Sequence, residues 1–229
     1  MEKYVNIMLD KAFKTVFGKK QVAIDFINAA LEGEHQVKDL TYLDKPEVIE
    51  QRTVIFDLLC EDVDGTKFVL EMQNCPQRYF FNRGFYYICR MVSRQGEIGS
   101  DWKFSLLPVY GIYLLNFSLP EFQSWRTDVV LANEATGKAF GEVKLKQIYL
   151  SFDLFNLSKE ECQTPLENIV YILKNMNLFD MSPFKEKNDA FKRLLDVANL
   201  DAMTSHERAV YEENLKIYRD WRNTLEYAV

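Results

Sequence analysis

The segment RTVIFDLLCEDVDGTKFVLEMQN, residues 52–74, decides the fold, because it places one acidic residue inside each of two apolar runs. Asp64 and Gly65 stand between these runs, and an Asp-Gly pair between β-prone segments predicts a tight hairpin turn. Asp57 lies in the first run and Glu71 in the second. A charged side chain is costly on an apolar strand face unless something pairs with it, so the two carboxylates need an explanation.

Pairing of the two strands about the turn predicts that Asp57 lies nearly opposite Glu71 or Met72. Their carboxylates then meet at one end of the sheet, where hard oxygen ligands suit Mg²⁺ or Mn²⁺. The backbone carbonyl of Met72 can add a third protein ligand. The alternative is that both acids lie on the solvent face of a half-exposed hairpin, as polar strand residues often do. Their apolar neighbours weigh against that alternative, because a surface strand alternates more regularly.

The rest of the chain predicts a mixed α/β arrangement with a helical C-terminal part. Helical spacing over residues 9–36 predicts two short helices broken at FGKK, followed by a short strand ending near Pro46. After the hairpin we expect a helix over residues 79–99, a buried strand within 105–119 and a second hairpin turning near Thr136 and Gly137. From Thr164 onward three helices are expected, two of them starting at Ser182-Pro183 and Thr204-Ser205.

The composition is that of an ordinary globular protein, with 48% hydrophobic and 27% charged residues among 229. No apolar run reaches the roughly 18 residues that span a bilayer, and the first residues lack a signal-peptide pattern. We therefore expect a cytoplasmic protein without a membrane partner.

Four cysteines without a CxxC pair predict free thiols rather than a zinc cluster. The net charge of −6 argues against strong nonspecific binding to nucleic acid, but it leaves room for a local basic groove.

The spacing of Asp57 and Glu71-Met72-Gln73 resembles the core of PD-(D/E)XK nucleases. More specifically, the chain resembles the PD-(D/E)XK nuclease family transposases, also called recombination-promoting nucleases. The resemblance covers roughly residues 6–227 and rests on LDKAFKTVFG, FDLLCEDVDGTKFVLEMQ, RYFFNRGFYYICR, LLPVYGIYLLNFSL and ERAVYEENLKIYRDW. The core motif is short, and its order along the chain together with DKAFKTVFG makes it fairly specific.

The resemblance implies a restriction-endonuclease-like mixed sheet flanked by helices, and metal-dependent cleavage of DNA. It assigns metal binding to Asp57 and Glu71, and it places Gln73 at the third core position. That position is usually lysine in the broader fold, where it orients the attacking water and offsets negative charge. Gln73 can position a water by hydrogen bonding but supplies no charge. Slow cleavage, or a need for a second metal, is the expected consequence.

Other residues are weaker candidates for this chemistry. Asp10 and Lys14 share a helix face and can border the site as an extra acid and a phosphate contact, although a surface ion pair is the more common arrangement. Arg83 is a candidate phosphate contact, with a solvated helix face as the alternative. The aromatic residues of 79–87 are expected mainly in the core rather than on a base-stacking surface. Neither His35 nor His206 is given a role.

The sequence thus predicts a nuclease-like α/β core at residues 1–160 and a helical extension at 161–229 that packs on it. The predicted function is Mg²⁺- or Mn²⁺-dependent DNA endonuclease activity. The alternative is a catalytically weakened nuclease fold that acts as a DNA-binding or protein-interaction module, which Gln73 and the acidic composition favour. Residues 164–229 can also pair two copies into a homodimer, although their apolar stripes are expected to pack within one chain.

Overall fold

The computed structural model of the chain describes residues 2–43, 57–96, 103–140, 145–181 and 188–227. The strands are β1 Leu40–Tyr42, β2 Leu58–Asp62, β3 Lys67–Gln73, β4 Val109–Leu115, β5 Arg126–Val130 and β6 Leu145–Ser151. The helices are α1 Asp10–Phe17, α2 Lys20–Leu31, α3 Phe80–Ser93, α4 Pro165–Asn175, α5 Asp189–Val197 and α6 Ser205–Tyr227. The strand end predicted near Pro46 and the helix start predicted at Ser182-Pro183 lie outside the described residues.

The six strands form one mixed sheet in the order β1-β2-β3-β4-β6-β5. The three central strands β3, β4 and β6 run parallel to one another, whereas β1, β2 and β5 pair antiparallel with their neighbours. Every residue of β4 is buried, which explains its unbroken apolar sequence VYGIYLL, because a parallel strand inside a sheet is covered on both faces. The mixed α/β fold expected from the sequence is therefore confirmed.

Helix α3 covers one face of this sheet. Its buried residues Phe80, Gly84, Ile88 and Met91 recur at helical spacing and form one narrow stripe. Phe80 packs in a cluster with Tyr113, Leu115, Phe117, Phe122 and Tyr149. Ile88 and Met91 pack in a second cluster with Leu59, Val69 and Val109. The helix is thus anchored along its whole length on the face that carries the odd-numbered side chains of β3.

The contacts within the chain divide it into two units. The second unit, residues 27–156, holds the whole sheet and α3. The first unit combines residues 1–26 with 157–229 and is helical. The predicted division at residue 160 into a nuclease-like core and a helical extension packed on it stays a proposal.

Within the first unit, the N-terminal segment is tied to the late helices by backbone and side-chain hydrogen bonds. The Val5 N–H donates to the Ala198 carbonyl at 2.9 Å, and the Tyr211 hydroxyl accepts from the Asn6 N–H at 2.9 Å. Arg193 on α5 forms an ion pair with Asp25 at 2.7 Å. Helix α6 begins at Ser205 after Thr204, as its sequence predicted, and the Glu207 N–H donates to the Thr204 hydroxyl. The helical C-terminal part is therefore confirmed.

Candidate metal and nucleic-acid site

The β2–β3 hairpin sets the position of both candidate acids. Its turn is closed by Asp62, whose Oδ1 accepts hydrogen bonds from the N–H groups of Asp64 and Thr66, both at 2.9 Å. Gly65 has a φ of +81°, a conformation that glycine adopts at low cost. The turn fixes a register in which Leu58 faces Leu70. Asp57, one residue before Leu58, therefore lies at the position facing Glu71, in agreement with the predicted pairing.

The carboxylate of Asp57 is held at the edge of β3. Its Oδ2 accepts a hydrogen bond from the Met72 N–H at 2.9 Å. Asp57 is half-buried, whereas Glu71 is only 4% exposed. One acid of the pair is therefore accessible from solvent, and the other is enclosed by the sheet and α3.

The hydrogen-bond pattern of β3 gives the direction of the Met72 carbonyl. Lys67 donates its N–H to Pro108, and Gln73 accepts from the Asn116 N–H, so odd-numbered residues of β3 direct their backbone groups toward β4. Backbone direction alternates along a strand, and Met72 therefore directs both its N–H and its carbonyl toward the β2 side. The Asp57 carboxylate and the Met72 carbonyl consequently lie on the same edge of β3.

Glu71 is enclosed by a wall of tyrosines. In the parallel register Glu71 pairs with Tyr113 of β4, which pairs with Tyr149 of β6, and the two rings stack with centroids 4.9 Å apart. Burial, and then the negative charge of Glu71, raises the pKa of both tyrosine hydroxyls. The Tyr149 hydroxyl donates to Gln147 Oε1 at 3.0 Å. Both tyrosines therefore stay neutral and form the closed side of the site.

Gln73 shares the strand face of Glu71. Its Nε2 donates to Glu71 Oε2 at 3.3 Å, and the side chain is half-buried. The structure therefore brings Asp57, Glu71, the Met72 backbone and Gln73 together at one end of the hairpin. These donors are carboxylate, carbonyl and amide oxygens, and an opening to solvent remains beside Asp57. Hard oxygen donors with room for coordinated water fit a divalent cation such as Mg²⁺.

Arg83 lies on α3, next to Gly84, the glycine that faces the tyrosine wall. An added Cβ at Gly84 would lie 3.1 Å from the Tyr113 hydroxyl oxygen. Arg83 donates to Gln77 Oε1, and it forms no ion pair with another residue that the structure describes. Its positive charge also lowers the pKa of Tyr113, against the larger effect of burial. The guanidinium is thus a cation whose charge is available near the tyrosine wall.

The expectation that the aromatic residues of 79–87 lie mainly in the core is wrong for three of them. Tyr79 is 63% exposed, Phe85 50% and Tyr86 43%, whereas Phe80 is buried. The physical reason is the narrow buried stripe of α3, in which the small residue Gly84 takes one of the four buried positions. Three large rings therefore remain on the outer faces of the helix.

Asp10 and Lys14 form an ion pair at 2.8 Å on α1, with both side chains well exposed. This geometry is that of a surface i, i+4 pair. The pair belongs to the first unit, whereas Asp57 and Glu71 belong to the second. A role for Asp10 and Lys14 in the site stays a proposal.

Sequence reasoning missed a second group of potential metal ligands at the other end of the hairpin. His35, Asp62 and Asp64 place ligand atoms within 4.8 Å of one another. His35 Nε2 lies 2.5 Å from Asp62 Oδ2, and Asp62 Oδ1 already accepts two backbone N–H groups. These contacts close the turn. The acidic turn DVDGT was visible in the sequence, but no spacing linked it to His35.

Comparisons with known proteins bear on the family of the chain. A family model described as a PD-(D/E)XK nuclease family transposase matches residues 7–228. Comparison with curated proteins found no match, and neither did comparison with solved structures. Among the helices of the described residues, none combines the length and the apolar character needed to cross a membrane.

Proposed function

Since the chain belongs to the PD-(D/E)XK nuclease family transposases, we propose that it is a metal-dependent endonuclease that hydrolyses phosphodiester bonds of DNA. The family supports a nuclease-type function, and such nucleases typically use divalent metals. The observation that carries the proposal is the hairpin register, which sets Asp57 opposite Glu71 and ties its carboxylate to the Met72 N–H. The presence of two carboxylates at this position is explained if both bind the same cation.

In this proposal Asp57, Glu71 and the Met72 carbonyl hold the ion. When bound, Mg²⁺ or Mn²⁺ lowers the pKa of a coordinated water and offsets negative charge on the phosphate. The buried position of Glu71 strengthens its interaction with a cation, because the local dielectric is low. The half-exposed Asp57 leaves space for water and for the phosphate.

Gln73 is proposed to orient the attacking water. Its amide nitrogen is directed at Glu71, so its carbonyl oxygen remains available to accept a hydrogen bond from water. Because an amide carries no charge, Gln73 does not offset the negative charge that grows on the phosphate. Arg83 is proposed to supply that charge by binding a phosphate oxygen.

Asp10 and Lys14 remain proposals as an additional acid and a phosphate contact. Their ion pair at 2.8 Å would have to open before Lys14 could bind DNA. A cytoplasmic location and a homodimer built through residues 164–229 are likewise proposed on the basis of the sequence alone.

The decisive experiment compares Asp57→Asn with Asp64→Asn. Asparagine at position 57 still accepts the hydrogen bond from Met72 but removes the charge, so the fold is retained. Asp64 belongs to the second group of potential ligands and is the matched control. Each protein is titrated with Mg²⁺ and with Mn²⁺ in a calorimeter and incubated with supercoiled plasmid.

We expect Asp57→Asn to lose metal binding and to lower nicking by at least about 100-fold, the order of effect seen when a group that stabilises transition-state charge is removed. Asp64→Asn should resemble the wild type. Nicking by Asp57→Asn at the wild-type rate would disprove the proposed site. Loss of metal binding in Asp64→Asn alone would assign the ion to the group around His35.

A second candidate function is a catalytically weakened nuclease fold that binds DNA without cutting it. The uncharged Gln73 favours this candidate, since the site lacks the positively charged lysine that the broader fold usually has at this position. DNA binding by the wild type without nicking in either metal would support it.

A further inference from the structure

The segment from Met72 to Gly96 has an unusual charge for this chain. It contains four arginines, at positions 78, 83, 90 and 94, and neither acidic residues nor lysines. The whole chain carries a net charge of −6. A segment with a charge of +4 in an acidic protein attracts a polyanion locally, whereas the acidic remainder of the chain repels one.

Two exposed rings, Tyr79 just before α3 and Tyr86 on α3, border a groove next to two of these arginines. The groove has a volume of about 400 Å³, and its lining in the described part of the chain comes from residues 77–87, among them Arg78, Tyr79, Arg83 and Tyr86. Its size lies within the roughly 300–1,000 Å³ range of pockets that enclose small organic groups. The Arg78 guanidinium lies 5.5 Å from the centre of the Tyr79 ring. None of the described residues that line the groove is acidic.

The groove is close to the candidate cleavage site. Gln77, at its rim, follows Gln73 by four residues. Gly84, next to Arg83, packs against the Tyr113 hydroxyl, and Tyr113 is the register partner of Glu71. The groove and the Asp57–Glu71 pair therefore adjoin the same parts of the second unit, the end of β3 and the start of α3.

We propose that this groove binds an unpaired segment of DNA, with bases stacked on Tyr79 and Tyr86 and phosphates bound by Arg78 and Arg83. The proposal rests on the proposed function and names its substrate class as DNA with single-stranded character. An exposed tyrosine ring can stack only on a base whose face is open. In a duplex the base faces are covered by their neighbours, so stacking here requires unpaired bases.

The test measures DNA binding without metal, in the presence of EDTA, so that no cleavage occurs. The full chain is titrated into a fluorescein-labelled 12-nucleotide oligothymidylate and into a 12-base-pair duplex. We expect the wild type to bind the single strand more tightly. Replacing both rings in Tyr79→Leu/Tyr86→Leu keeps apolar bulk and should weaken single-strand binding about 10-fold or more. Duplex binding should change less than 3-fold.

The matched control is Phe140→Leu, which removes another exposed ring of the same unit, 56% exposed. It should bind both DNAs as the wild type does. Arg78→Gln should lower the salt dependence of single-strand binding, reducing the slope of log K against log salt by about 0.7. Thermal melting of each variant establishes that it is folded.

Stacking is read directly with 2-aminopurine in the middle of the oligonucleotide. Its fluorescence should change on binding to the wild type and stay constant with the double tyrosine variant. Equal single-strand binding by the wild type and the double variant, with the same 2-aminopurine signal, would overturn the proposal that bases stack on Tyr79 and Tyr86. Tighter binding of the matching RNA than of DNA would overturn DNA as its occupant.

The groove and the nuclease proposal fail in different ways. Asp57→Asn should bind the oligonucleotide like the wild type while losing nicking, because its substitution lies outside the groove. If the wild type binds the single strand and stacks on its bases but never cuts DNA, the proposal of DNA binding in the groove is supported and the proposal of cleavage is wrong. If the wild type cuts plasmid while the double tyrosine variant binds the single strand normally, the proposal of cleavage is supported and the proposal of DNA binding in the groove is wrong.

Discussion

At the scale of single residues, Glu71 faces Asp57 on the neighbouring strand of the hairpin and Tyr113 on the parallel strand β4. The Asp64-Gly65 turn fixes the hairpin, and the pairing of Asp57 with Glu71 follows from counting residues outward. The tyrosine wall is different, because Tyr113 and Tyr149 reach Glu71 only through the order of strands in the sheet. Strand order is a property of the whole fold, which local patterns do not specify.

Gly111 shows how tightly this wall is packed. An added Cβ at Gly111 would lie 2.7 Å from Tyr113 Cε2, 2.8 Å from its hydroxyl oxygen and 2.9 Å from Ile88 Cδ1. Real Cβ atoms do not approach other atoms this closely, so the ring of Tyr113 or the side chain of Ile88 must move. Because Tyr113 adjoins Glu71, such a movement also disturbs the site.

We therefore expect Gly111→Ala to lower the free energy of unfolding by about 1–3 kcal/mol, the usual cost of overpacking, and to reduce nicking. Urea denaturation followed by tryptophan fluorescence measures the first effect. The double variant Gly111→Ala/Tyr113→Leu should lose less than the sum of the two single changes, since the smaller side chain vacates the space. Additive losses would show that Gly111 does not act through Tyr113.

At the scale of elements, α4 and α6 begin where the sequence predicted them, next to Thr164 and Thr204, whereas Asn188, the residue that caps α5, was not predicted. Thr164 precedes Pro165 and accepts from the Glu167 N–H, while the Glu167 carboxylate accepts from the Thr164 N–H. This reciprocal pair is a capping box. The exposed face of α3 was not predictable in the same way, because glycine at position 84 is not read as apolar although it lies on the buried stripe. The sequence therefore predicted the helix but did not show which of the six aromatic residues around Gly84 face solvent.

The capping box gives a prediction for α4. Burial raises the pKa of Glu167, but hydrogen bonds from the backbone N–H groups of Thr164 and Gln163 outweigh burial and lower it. Removing the Thr164 hydroxyl in Thr164→Ala should lower the free energy of unfolding by about 1 kcal/mol. Thr15→Ala, at an exposed position inside α1, is the control and should be neutral or slightly stabilising. An equal stability of the Thr164→Ala variant and the wild type in urea would contradict the box.

At the scale of the whole molecule, the sequence predicts the fold class. It does not predict the ion pairs that connect distant parts of the second unit, which only the structure shows. Arg126 pairs with Glu32 at 2.7 Å and with Asp128 at 2.9 Å. Lys146 pairs with Asp128 at 2.9 Å and with Glu34 at 2.8 Å. The network thus joins β5, β6 and the segment that follows α2. Long-range pairs of this kind leave no periodic signal in a sequence.

This network makes the stability of the protein depend on pH. Burial alone raises the pKa of Asp128, but hydrogen bonds and positive charge from Arg126 and Lys146 lower it below its ordinary value of 3.8. A lowered pKa in the folded state contributes stability above pH 3.8, and this contribution is lost as the pH falls through the lowered value.

We therefore expect Asp128→Asn to be less stable than the wild type at pH 7, with a difference that shrinks steadily between pH 4 and pH 2. Denaturation in urea at a series of pH values measures it. Asp64→Asn, at an exposed turn position, is the control. A difference between wild type and Asp128→Asn that stays constant down to pH 2 would show that the carboxylate does not act through its charge.

The hairpin also has a consequence for the order of events during folding. Asp57 and Met72 are fifteen residues apart and are joined by one tight turn, and hairpins of this kind form within about 1–10 μs. The strands that carry Tyr113 and Tyr149 are more distant along the chain, and pairing of distant strands is slower. We therefore expect the two acids to come together while Glu71 is still open to water. The end of the hairpin that holds them would form first, and the later strands would enclose it.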